Sequence, residues 1–137
     1  MDEKEFRTRL RKKIGSLDEV DKSILEIVPY EYPGRDIDIE IVYPEFTSLC
    51  PRTGLPDFGK IIIRYVPDTH IIELKSLKYY LMQYRWVGIF YEHLVNRILE
   101  DLVSLVKPKS MEVIGEFNPR GGMTTKVIRR WESEKPE

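Results

Sequence analysis

Hydrophobic and polar positions alternate over residues 37–43, where Ile37, Ile39, Ile41 and Tyr43 interleave with Asp38 and Glu40. A period of two predicts a half-buried strand. Residues 60–66 repeat it, with Ile61, Ile63 and Tyr65 on one face. Between them, residues 44–58 carry three Pro and one Gly and predict a loop. The period then lengthens. Leu74, Leu77 and Leu81 share a face of a predicted helix over 74–85. Leu94, Ile98, Leu102 and Leu105, widened by Val95, Leu99 and Val103, predict a second helix over 90–106. Trp86–Gly88 breaks the two, and Pro108 stops the second because it cannot continue the hydrogen-bond ladder. Met111, Val113, Gly115 and Phe117 return to period two, and a tight turn over 118–122 leads to a fourth strand over 123–131.

The order ββααββ predicts an α+β domain, an antiparallel sheet with both helices on one face. All 137 residues read as a single domain: a charged arm over 1–22, a turn around Pro29, Pro33 and Gly34, and a core over 37–131. Arg9, Arg11, Lys12 and Lys13 suggest that the arm is solvated or a short helix. Open sheet edges invite pairing between copies, so a ring-like homo-oligomer is expected.

Composition narrows the function. Lys plus Arg number 22 against 23 Asp plus Glu, a net charge of -1, which argues against a strongly basic nucleic-acid binder. No apolar run approaches the roughly 20 residues of a membrane span. One Cys excludes an intrachain disulfide and, with no secretory apolar run near the start, points to a reducing cytoplasm. One Cys and two His leave little for a zinc site, so no metal is expected.

Cys50 sits in the Pro/Gly-rich segment after a strand, where scaffolds place functional groups. A thiol with a pKa of about 8.5 is mostly protonated at neutral pH and needs a cation or acid–base partner. Arg52 and Asp57 are in the same segment. Asp57 by itself reads as a turn residue or cap; paired with Cys50 it reads as a proton donor, provided burial keeps it protonated. Lys75 and Lys78 lie three apart on the first helix and suit either a solvated face or a phosphate clamp assisted by the helix N-terminus. Arg120, at the Arg-Gly-Gly turn, offers a further cation or is merely a hairpin tip. Glu92, at the start of the second helix, is either a dipole partner or an acceptor for adjacent N–H donors of a purine-like edge.

Three stretches carry a resemblance: Glu45 to Phe58 (EFTSLCPRTGLPDF), Glu73 to Tyr80 (ELKSLKYY) and Phe117 to Gly122 (FNPRGG). Over about residues 37–125 the chain resembles the short form of the NADPH-dependent 7-cyano-7-deazaguanine reductases of queuosine biosynthesis. That resemblance implies the tunnelling fold, whose subunits close into a barrel with active sites at subunit interfaces, pentamer rings stacked as a decamer being one such assembly. It implies that Cys50 attacks the nitrile carbon to form a thioimide, that Asp57 protonates the nitrogen, and that NADPH supplies two hydrides to give the aminomethyl product. It also implies that Ile72, Glu73, Leu74, Tyr91 and Glu92 bind the deazapurine nitrile, while Lys75, Lys78 and Arg120 meet the NADPH phosphates. In one departure, the family commonly has His directly before the base-reading Glu, whereas here the order is Tyr91-Glu92-His93.

Three other readings compete. An amidinotransferase on nitrile-modified tRNA would resolve the same thioimide with ammonia; Glu73 to Tyr80 argues for the reductase. A zinc-dependent cyclohydrolase-like enzyme needs more ligands than Cys50, His70 and His93 supply. A non-catalytic purine- or pterin-binding oligomer has no need of Cys50 and Asp57.

Overall fold

The computed structural model describes residues 2–5 and 19–134. Arg9, Arg11, Lys12 and Lys13 of the charged arm lie outside the described residues. Four long strands form an antiparallel sheet in the order β2-β3-β5-β6: β2 (Ile39–Leu49), β3 (Pro56–Val66), β5 (Ser110–Arg120) and β6 (Met123–Glu132). Helices α1 (Leu74–Met82) and α2 (Tyr91–Val106) lie between β3 and β5 in sequence and cover one face. The ββααββ order therefore stands, joined by two short strands outside that pattern. Two three-residue strands, β1 (Ile27–Pro29) and β4 (His70–Ile72), pair as a small second sheet. Pro29 ends β1 rather than making a turn; three residues are too short a run for alternation to show.

The segment expected to be a loop over 44–58 is mostly strand. β2 runs to Leu49 and β3 starts at Pro56, leaving only 50–55 as the connection. The physical reason is a bulge. Tyr43 pairs with Ile61 and Phe46 with Gly59, so Pro44 and Glu45 together oppose Lys60. Pro is tolerated there because β2 is an edge strand within the chain. The extra residue reverses the alternation. Before it Ile39, Ile41 and Tyr43 pack on the core; after it Phe46 and Ser48 do, both essentially inaccessible. α1 ends at Met82, sooner than the predicted Arg85, and tightens into a 3-10 turn over Gln83–Trp86.

Helix α1 is capped by Glu73, whose carboxylate accepts from the N–H groups of Lys75 (2.9 Å) and Ser76 (2.6 Å). Helix α2 ends with Lys107 in the left-handed region at φ 47°, just before Pro108. Leu77, Leu81, Leu94, Val95, Ile98 and Leu102 pack on Ile61, Ile63, Tyr65, Val113 and Phe117 of the sheet. The opposite sheet face is ordered in rows. Ile62 and Ile114 sit at its centre, flanked by a cross-strand ladder of Glu40, Arg64, Glu112 and Arg130 and a second one of Lys60, Glu116 and Lys126.

Between the helices lies a buried polar network. Tyr80 donates to Asp101 at 2.5 Å and contacts the Tyr84 hydroxyl at 2.8 Å, and Arg97 donates to Asp101 at 2.8 Å and to the Val20 carbonyl at 3.2 Å. Burial pushes both phenols far above the ordinary range, so they remain neutral donors. Asp101→Ala removes the buried acceptor that Tyr80 and Arg97 share and is expected to cost about 3 kcal/mol in urea unfolding. A change under about 1 kcal/mol contradicts this view of the network.

Candidate active site

Asp57 is the anchor of the site. It is the second residue of β3, faces the core side, and is only 5% exposed. Two bulges turn other side chains toward it. The one at Pro44 and Glu45 puts Ser48 directly opposite Asp57 in register, and Cys50 follows two residues later. The other lies in β5. Phe117 pairs with Thr125 and Arg120 with Met123, so Asn118 and Pro119 oppose Thr124 alone. Upstream of it the odd-numbered residues Met111, Val113, Gly115 and Phe117 face inward; beyond it Arg120 does, and its guanidinium pairs with the Asp57 carboxylate. Gly121 and Gly122, at φ 57° and 79°, then form the two-residue turn to β6.

The Cys50 loop is closed at both ends. Cys50 N donates to Leu55 O at 2.9 Å, and Gly54 N donates to Cys50 O at 2.9 Å. Gly54 takes φ 77°, which Gly adopts without strain. Leu49, just before it, is held on both sides: its N–H donates to Val87 O (3.0 Å) and its carbonyl accepts from Ile89 (3.1 Å). The thiol is half-buried and free. Burial is the largest influence on it and pushes it up, but hydrogen bonds from the Thr53 side chain, the Thr53 and Arg52 backbone and Arg120 outweigh this and hold the thiol below its ordinary value. Asp57 moves the other way. Burial raises its carboxyl above the ordinary value, overcoming the Arg120 charge. A lowered thiol beside a raised carboxyl is the pairing that a nucleophile and its proton donor require. Arg120 serves both, its guanidinium ion-paired with Asp57 and its charge favouring the Cys50 thiolate.

Tyr91 opens α2 and completes the group. Its ring stacks on Phe117 at 3.7 Å and 5°, within reach of the charges of Asp57 and Arg120. Its hydroxyl is buried and makes no hydrogen bond of good geometry; burial first, then the Asp57 charge, keeps it protonated. Gly115 makes room for this stack, since a β-carbon there would stand 2.7 Å from the Phe117 ring. Sequence reading did not single out Ser48, Thr53 or Phe117; the Gly inside a strand pattern was the available sign of close packing at Phe117. A cleft of about 320 Å³ opens on Asp57, Tyr91 and Arg120 between Phe58 and Pro119, and Cys50 does not line it.

The other residues of interest form a separate group at the β4–α1 junction. Ile72 is buried and its N–H donates to the Tyr65 hydroxyl, whereas Leu74 is 61% exposed. Lys75 and Lys78 project from α1 into solvent, with Lys78 over the Tyr79 ring at 5.0 Å. Two exposed ammonium groups on one helix face fit the phosphates of a dinucleotide. The helix N-terminus does not assist them as expected, because Glu73 already occupies the Lys75 and Ser76 N–H groups. Glu92 is exposed on the first turn of α2, one residue around from the inward Tyr91, and His93 packs edge-on against Phe90. Within one chain, therefore, Cys50, Asp57, Tyr91 and Arg120 come together, while Glu92 faces solvent. The hydrogen bonds of the β4–α1 group run to Glu26, Tyr65 and Ser76. Among the described residues no group of three His, Cys, Asp or Glu is placed to hold a metal, and no helix is long and apolar enough to cross a membrane.

Comparison with known proteins adds an independent line. Residues 56–136 match the family described as QueF-like protein. The NADPH-dependent 7-cyano-7-deazaguanine reductase of Caldicellulosiruptor bescii is 56% identical over 119 residues, 87% of this chain and 91% of that one. The enzyme of the same name from Pelodictyon phaeoclathratiforme is 59% identical over 106 residues (77% and 91%), and that from Chlorobaculum tepidum 53% over 116 (85% and 99%). The fold also matches the apo crystal structure of the archaeosine synthase QueF-Like, with a TM-score of 0.61 over 69% of this chain and 91% of that chain, at 20% identity. At that identity the last match speaks for the fold alone. With identity above half across most of both sequences, the chain belongs to the family of NADPH-dependent 7-cyano-7-deazaguanine reductases.

Proposed function

We propose that this protein reduces the nitrile of 7-cyano-7-deazaguanine to the aminomethyl group, with Cys50 as nucleophile and Asp57 as proton donor. The observation that carries the residue assignment is the opposite displacement of the two groups, a thiol held low and a carboxyl held high beside one guanidinium. Sulfur adds to the nitrile carbon, one C–N π bond opens, and its electron pair takes the Asp57 proton. The resulting thioimide is a far better hydride acceptor than a nitrile, so one hard step becomes easier ones. NADPH, when bound, supplies the hydrides. On this chain Lys75 and Lys78 would hold its phosphates, and Arg120 would reach them from the hairpin. Glu92 would accept the N–H donors of the base, with Ile72, Glu73 and Leu74 lining it and Tyr91 beside the reacting nitrile. Mixing enzyme and nitrile without NADPH tests the covalent step: intact-protein mass spectrometry is expected to show one added ligand. Turnover that requires ammonia instead of NADPH contradicts the reductase reading.

We further infer that the working site lies between copies of the chain. Cys50 and the cleft at Asp57 do not enclose a ligand within one chain, and Glu92 and the two lysines face solvent. Leu55, Phe58, Leu74, Trp86 and Phe90 are all more than 40% exposed around these elements. β2 and β6 leave two long edges for pairing into the closed barrel of the tunnelling fold. A site that depends on a free thiol suits a reducing compartment. Lys75→Ala is expected to raise the apparent KM for NADPH about tenfold while leaving that for the nitrile within about twofold, in line with one lost charge-assisted contact. Equal effects on both constants count against the clamp.

A further inference from the structure

Among the described residues two buried side-chain polar atoms have no hydrogen-bond partner, Ser48 Oγ and Tyr91 OH. Both flank Asp57. A buried hydroxyl left unpaired is unfavourable and calls for an explanation. Tyr91 opens onto the cleft already described. Ser48 does not: it is 0% exposed, faces the core side of β2, and is the register partner of Asp57. Directly opposed side chains have β-carbons about 4.5–5.5 Å apart, a separation that a hydroxyl-to-carboxylate hydrogen bond spans after rotation about χ1. The position is fixed, since Leu49 beside it is bonded on both sides to Val87 and Ile89.

We propose that Ser48 is a positioning residue of the nitrile chemistry, its hydroxyl donating to the Asp57 carboxylate once that acid has given its proton to the substrate nitrogen. The inference rests on the covalent reading above. Forming the S–C bond and opening one C–N π bond transfers the Asp57 proton and leaves a carboxylate in a site sealed from water on the strand side. The groups facing that carboxylate are Arg120 from β5 and Tyr91 from α2. Arg120 is shared with Cys50 and has a side chain 42% exposed, open to competition from solvent and from ligand anions. Ser48 gives a neutral donor from the interior, where neither can compete. A packing role alone does not call for a hydroxyl, since alanine fits the same space without an unpaired donor.

The test is the rate of adduct formation on mixing enzyme with 7-cyano-7-deazaguanine in the absence of NADPH, for wild type, Ser48→Ala and Ser48→Thr, alongside each chain's Tm. Ser48→Ala is expected to form adduct about 10–100-fold more slowly, the range for losing a hydrogen bond to a charged group. Its KM for the nitrile is expected to stay near wild type and its Tm to be no lower, because the change deletes an unpaired hydroxyl. Ser48→Thr, which retains the hydroxyl, is expected to recover most of the rate. Wild-type rates in Ser48→Ala overturn the assignment. So does a loss of rate that follows a loss of Tm and is not restored by threonine. A wild-type enzyme that forms no adduct overturns the covalent reading instead.

Discussion

Cys50→Ala is expected to abolish both the covalent adduct and NADPH consumption, with residual turnover lower by on the order of 10⁴-fold or more. Without a sulfur at this position the nitrile meets hydride directly, and its carbon is a poor acceptor. The fold has little reason to change: the side chain is small and half-buried, and the loop is held by backbone bonds from Cys50 N and to Cys50 O that alanine retains. Nor do the residues proposed to read the base depend on it, so the variant is expected to bind the nitrile with near wild-type affinity in equilibrium dialysis. Binding without adduct separates the nucleophile from the pocket. Substantial turnover in this variant would refute the assignment of Cys50.

Asp57→Asn is expected to slow adduct formation by about 10²–10⁴-fold, the usual contribution of a positioned general acid. Its pH dependence is the sharper readout. In the wild type Asp57 must carry its proton, so adduct formation falls as pH rises through the carboxyl's elevated titration. The thiol must lose its proton, so formation also falls as pH drops through the lowered Cys50 titration. Asparagine deletes the alkaline limb and leaves the acid limb, because Thr53, the Arg52 backbone and Arg120 still support the thiolate. Rate–pH profiles from stopped mixing and mass spectrometry distinguish this from general damage, which lowers both limbs together. An alkaline limb that persists in Asp57→Asn assigns it to another group.

Sequence periodicity made the helices and the middle of each long strand legible, because Ile61, Ile63, Leu94, Ile98 and Val113 bury one face of a regular element. It failed at Pro44 and Glu45. There a bulge shifts the inward positions from odd to even numbers, so Phe46 and Ser48 fall out of phase with Ile41 and Tyr43. Three Pro in the same stretch completed the appearance of a loop. The chemistry of the site was easier to read than its geometry. Cys50 and Asp57 stood out as residue types in one short stretch, but the pairing of Arg120 with Asp57 depends on a register shift more than 60 positions away. The Glu73 cap was hidden for a similar reason: a carboxylate before a helix is an N-cap or a ligand contact, and only the bonds to Lys75 and Ser76 show that it serves as a cap here.

The two bulges imply an unusual evolutionary economy. A ladder repeats every two residues, so one codon gained or lost in either strand interchanges what looks inward and what looks outward beyond that point. A descendant missing Glu45 or Pro119 would keep its helices and most of its interior, yet its reactive end would be turned inside out. On this scaffold, acquiring or losing chemistry is a matter of reading frame along a strand as much as of which amino acids are present.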